Sequence, residues 1–150
     1  MRISHTIDID STPEEVFYWL GNPERAMAWM SNVSETELLH ETADMVGTTF
    51  RETVEENGQS TELHGVVTAY RPSLRIAFHL SGKFNVVDVE YRLEEMENRT
   101  RLTYRADVRF RSFTRILSVF FGPRFEKKIR AQLQEEFAKL KELCEGGASR

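Results

Sequence analysis

Apolar and polar side chains alternate from the first residues of this chain. Ile3, His5, Ile7 and Ile9 fall on one side, and Ser4, Thr6 and Asp8 on the other. A period of two predicts a strand with one buried face. The segment STPEEVFYWL breaks that alternation. Thr12 can cap a helix, Pro13 suits the first helical position, and Glu15 completes a capping box. NPERAMAWM repeats the device with Asn22 as cap and Pro23 after it, so two short helices joined at Gly21 are expected. SNVSETELLHET predicts a further strand, but its pattern leaves the inward face open.

From Gly47 to Phe110 the pattern is that of a meander of long antiparallel strands. Asn57-Gly58 is a two-residue hairpin turn, and Arg71-Pro72, Ser81-Gly82 and Glu97-Asn98 mark the later ones. Pairing across Asn57-Gly58 puts Phe50, Glu52 and Val54 on one face with Leu63, Gly65, Val67 and Ala69. Arg51, Thr53, Glu55, Glu62 and His64 share the other face, which is therefore the wet one. Carried on, the buried set takes in Ile76, Phe78 and Leu80. It continues with Asn85, Val87, Val89, Tyr91 and Leu93, then Leu102, Tyr104, Ala106, Val108 and Phe110. The same register sets Asp88 against Arg75 as a cross-strand ion pair.

After the meander comes an apolar run from Phe113 to Phe121, cut by Gly122-Pro123. It is too short to span a bilayer, which takes roughly 20 residues, and it carries Arg115. Two readings stand: a short helix that plugs the core, or a hinged flap whose Phe120 or Phe121 covers a cavity. Pro123 can then start a long helix. Phe125, Ile129, Leu133, Phe137, Leu140 and Cys144 form its apolar stripe, and Gly146-Gly147 ends it. No repeat or linker interrupts the 150 residues, so one domain, 1–150, is expected, with 146–150 as a flexible tail.

Composition narrows the function classes. The net charge is −4 with both signs dispersed, which gives no basic face for nucleic acid. Cys144 is the single cysteine, so no intramolecular disulfide can form. With no signal-like h-region or spanning segment, the chain reads as cytoplasmic. His64 and His79 lie on neighbouring strands, but parity points both to solvent without a third ligand. No metal or cofactor is therefore expected. His5, Glu52, Asn85, Tyr91 and Tyr104 differ, because they fall on the apolar inner face. Buried polar groups need partners or water, so as a set they point to a polar-spotted cavity.

The segments STPEEVFYWLGNPERAMAWMSNV, VGTTF, GVVTAYRPSLRIAFHLSG, NRTRLTY and GPRFEKKIRAQLQEEFAKLKELCE together resemble the helix-grip superfamily of START-like domains. Its bacterial polyketide cyclase/dehydrase and lipid-transport-like branch is the nearest in pattern. The resemblance covers essentially the whole chain and implies an α+β helix-grip fold. In it a curved antiparallel sheet of about seven strands wraps a long C-terminal helix, with two short helices after the first strand. It also implies an apolar cavity between sheet and helix. Carried onto this chain, Trp29, Phe50, Phe78, Tyr91, Tyr104, Phe121, Phe125 and Ile129 would line that cavity, and His5, Glu52 and Asn85 would supply its polar points.

The first functional expectation is binding or transport of a hydrophobic small molecule, such as a lipid, a polyketide-like aromatic or a quinone. A flap of this kind also admits transient contact with a membrane surface. The second is a cyclase, dehydratase or hydrolase acting on such a ligand, for which His5 and Glu52 are the inward candidates for acid–base work. No Ser-His-Asp or Cys-His arrangement is evident. The third is an interaction module like the branch that stimulates a chaperone ATPase, to which no segment shows a local match.

Overall fold

A computed structural model describes residues 1–56 and 58–146, apart from the side chains of 56, 112–123 and 125. The chain runs β1 (Arg2–Ile9), α1 (Pro13–Leu20), α2 (Pro23–Ala26), β2 (Val33–His40), β3 (Thr49–Glu56) and β4 (Gln59–Arg71). It continues β5 (Arg75–Ser81), β6 (Asn85–Met96), β7 (Arg99–Phe110) and α3 (Ser112–Glu145). The seven strands form one antiparallel sheet in the order β1-β7-β6-β5-β4-β3-β2. The meander is sequential, and β1 closes beside the last strand. The architecture is an α+β helix grip, with two short helices after β1.

Local chemistry explains the first turns. Thr12 Oγ1 accepts from Glu15 N at 3.2 Å, and Asn22 Oδ1 accepts from Glu24 N at 2.8 Å. Each oxygen satisfies an N–H that a helix start leaves without a partner. Asn98 takes a left-handed φ of 61° in the two-residue turn between Met96 and Arg99. Asparagine tolerates that region better than most residues. Gly58 has φ 76° beside Asn57, which lies outside the described residues.

The sheet registers place Phe50 against Gly65, Glu52 against Leu63, and Tyr91 against both Ile76 and Tyr104. The expected inner face therefore holds along most of the meander, with two corrections. A register shift between Val67 and Ala69 inserts an extra residue into β4. Alternation reverses there, so Tyr70, not Ala69, pairs with inward Ile76 and meets the Phe17 ring at 5.4 Å. The second correction concerns ion pairs. Arg75 stands opposite Arg92, and its guanidinium goes to Glu90 at 2.6 Å. Asp88 is instead bonded by His79 at 2.7 Å and by Arg109 at 2.9 Å. Asp88 stands opposite His79, so the observed register lies four residues from the expected one. The open question about β2 is also answered: Thr36 and Leu38 stand opposite Glu52 and Phe50 on the inner face.

The inner face packs against α3 and the two short helices. Phe137, Leu140 and Cys144 are fully buried from the helix side, as their spacing predicts. Three polar contacts hold the end of α3 near the β1–α1 corner and that corner to β7. Lys141 Nζ donates to Asp8 O at 2.7 Å, Asp10 N donates to Glu145 Oε2 at 2.9 Å, and Thr100 Oγ1 donates to Ser11 O at 2.8 Å. Pro123 does not start the long helix: α3 begins at Ser112 and runs on through Gly122-Pro123. The side chains on which the flap reading of 113–121 rests, and the tail beyond 146, lie outside the described residues.

Candidate functional site

Alternation along β3 sends Phe50 and Glu52 inward two residues apart, and a small pocket lies over them. Its floor is the sheet, through Phe50, Glu52, Val67, Ile76, Phe78 and Tyr91. Its walls come from the helical segment, through Leu20, Ala26, Trp29 and Met30, and from Met45 and Thr48 before β3. The pocket has a volume of about 40 Å³, room for about three water molecules.

Aromatic packing keeps it small. The Phe137 ring stacks on Trp29 at 5.7 Å and on His5 at 5.3 Å, and contacts Tyr104 at 5.4 Å. Phe78 bridges Phe50 at 5.8 Å to Tyr91 at 6.0 Å. Trp29 is fixed further by its indole N–H, which donates to Trp19 O at 3.1 Å. Edge and stacked ring contacts of this kind add to the burial that orders them.

Glu52 is the anomaly in this apolar setting. It is 7% exposed, and among the described residues no donor is bonded to its carboxyl group. Burial raises its pKa from 4.5 to about 7, because a carboxylate loses water there without gaining a donor. Opposite it, Thr36 Oγ1 is buried without a hydrogen-bond partner among the described residues. Tyr91 is pushed well above the ordinary phenol range, first by burial and then by Tyr104, Glu136 and Glu52. Burial and Glu136 raise Tyr104 as well.

Glu136 on α3 shows what a satisfied buried carboxylate looks like in the same molecule. Its Oε1 accepts from Ser31 N at 3.0 Å, Ser31 Oγ at 2.8 Å and Gln132 Nε2 at 3.0 Å. Sequence reasoning missed Glu136 and Thr36. Glu136 was findable: it lies three residues after Leu133 and four before Leu140, within the apolar stripe. Thr36 became visible only with the register of β2.

Of the residues expected at a cavity, Trp29, Phe50, Glu52, Phe78 and Tyr91 line the pocket. His5 and Tyr104 lie one step away, in ring contact with Phe137. Asn85 and Ile129 are half-buried and are not among the described lining residues. Phe121 and Phe125 lie outside the described side chains. His5 on β1 and Glu52 on β3 are separated by four intervening strands in the sheet order.

The outer face has the opposite character. A groove of about 380 Å³ there is lined by Arg71, Arg75, Arg92, Arg101 and Arg105, together with Glu94. Glu90 holds Arg75 and Arg92, and Asp8 holds Arg101. Glu90 and Asp8 are held below the usual carboxylate range, chiefly by their hydrogen bonds to Arg92 and Arg101. His64 sits beside Glu62 at 2.8 Å. Among the described residues, no group of three His, Cys, Asp or Glu is placed to hold a metal ion. Nor is any helix there long and apolar enough to cross a membrane.

Comparison with solved structures agrees on the fold. A START superfamily protein from Mycobacterium smegmatis superposes with a TM-score of 0.79 at 18% identity, covering 96% of this chain and 97% of its own. A protein from Thermus thermophilus gives 0.81 at 14% identity, covering 96% and 97%. The Zhui aromatase/cyclase from a Streptomyces species gives 0.73 at 15% identity, covering 100% and 94%. At these identities the likeness is one of fold alone. No curated protein matches the sequence. The family described as polyketide cyclase / dehydrase and lipid transport matches residues 1–145, and the chain belongs to it.

Proposed function

We propose that this protein binds or carries a hydrophobic small molecule between its sheet and helices. The observation that carries this reading is the pocket itself, an aromatic and aliphatic lining around one buried carboxyl group that has no donor among the described residues. Apolar walls with few polar groups are what a small-molecule site needs. The family description, with its cyclases and lipid transport, supports the class of ligand. Lipids, polyketide-like aromatics and quinones all fit it.

A pocket of about 40 Å³ holds one end of such a molecule. A whole ligand requires the lining to part, and Met30 and Met45 are suited to that. Methionine is unbranched and repacks readily. Glu52 also supports a second reading, in which it donates or removes a proton from the bound molecule, since its pKa of about 7 suits acid–base work.

The direct test is native mass spectrometry of the purified protein, followed by organic extraction of retained material. A stoichiometric apolar compound is the expected result. A bare protein that also ignores lipids, quinones and aromatic polyketides in titrations overturns the reading.

A further inference from the structure

The lining of the pocket has a sign as well as a polarity. Among its described residues there is no Lys, Arg or His. Five arginines of the sheet line the outer groove instead. Inside, Glu52 faces the pocket, and Glu136 adds a second carboxylate whose charge reaches Tyr91. Trp29, Phe50, Phe78 and Tyr91 supply four aromatic rings around the same space, and ring faces attract cations.

Each polar group left without a partner there can accept a hydrogen bond. The Glu52 carboxyl group, 7% exposed and in the lining, has no donor among the described residues. An anionic ligand end would meet only like charge. A cation would meet a carboxylate and the rings. The volume of about 40 Å³ matches an ammonium group with a carbon or two attached, on the scale of about three waters.

We propose that the pocket takes the protonated amine end of an apolar amine, with Glu52 as its counter-ion and the aromatic rings as its walls. This rests on the hydrophobic-ligand reading above and specifies the chemistry of the ligand's polar end. It also excludes free fatty acids as preferred ligands.

Three probes with one chain separate the inference from the reading on which it rests: octylamine, octanol and octanoate, titrated into the purified protein at pH 8 by calorimetry. The expected order is amine over alcohol over carboxylate. Glu52→Gln should weaken octylamine by about tenfold or more and octanol by less than about twofold, since charged hydrogen bonds exceed neutral ones.

The pH series adds a sign. Of the described titratable groups that bear on this site, Tyr91 comes from β6, Tyr104 from β7 and Glu136 from α3, and none is positive. Amine binding needs Glu52 ionised, so affinity should fall below pH 7 by up to about tenfold per unit. If octanol binds and octylamine binds no better, or if Glu52→Gln weakens both equally, the amine assignment is overturned and the hydrophobic reading survives. If none of the three binds, both are overturned. A thermal melt of the variant shows whether a loss of binding reflects unfolding.

Discussion

Glu52 carries a consequence for stability that can be measured without a ligand. Its carboxyl group binds its proton more tightly in the folded protein, near pH 7, than in the unfolded chain, near 4.5. Folding is therefore favoured by this group below pH 4.5, and the contribution is lost as pH rises through 7. The loss is on the order of 3 kcal/mol. Glu52→Gln removes the penalty, so its melting temperature relative to the wild type should rise between pH 4.5 and pH 8. A difference independent of pH across that window would show that Glu52 titrates as an exposed carboxyl does. The inward direction of Glu52 was legible from alternation alone. Its lack of a partner was not, because that depended on Thr36, whose strand carries no clear pattern in VSETELLH.

Among the elements, the β3–β4 hairpin shows how packing selects a residue inside a strand. An added Cβ on Gly65 would lie 2.2 Å from Phe50 Cζ and 2.5 Å from Cε2. The ring of Phe50 rests on the bare backbone opposite it, a contact that only glycine permits at that distance. Gly65→Ala should cost about 1–3 kcal/mol through overpacking, read as a lower urea midpoint with unchanged slope. Adding Phe50→Leu should recover part of the loss, and strict additivity of the two changes would reject the contact as the cause. The sequence placed Phe50 and Gly65 on one face but could not show that their rows coincide. The turn at Glu97-Asn98 was readable because asparagine suits the left-handed φ it takes there. The extra residue near Thr68 was not, since VVTAY carries neither glycine nor proline.

At the scale of the whole molecule, α3 closes the grip with Phe137 and Leu140 at the centre. Phe137 is 1% exposed and touches Trp29, His5, Tyr91 and Tyr104 at once. Phe137→Ala should therefore cost about 3–5 kcal/mol and enlarge the interior. Equilibrium unfolding measures the first effect. Stronger binding of octanol or a similar small apolar probe by the variant would report the second; a variant that loses no stability would contradict the central role of this ring. The helix stripe from Leu133 to Cys144 predicted this packing from spacing alone. The pocket's modest size escaped prediction, because residue lists give the lining of a cavity but not how far neighbouring rings fill it.

The sheet order also has a consequence in time. Six strands, β2 to β7, pair with sequence neighbours, and such pairings close short loops quickly. β1 must wait for a partner synthesised far downstream: the Thr100–Ser11 bond alone joins residues 89 apart. Loop closure of that length is slow to be rewarded, so β1 should dock after the folding barrier has been crossed. Ile9, fully buried in β1, tests this. Ile9→Ala should accelerate unfolding in stopped-flow chevrons while leaving the folding rate nearly unchanged. A matching slowdown of folding would place β1 in the nucleus instead. On the expected course, the earliest synthesised of the seven strands is the last to find its place.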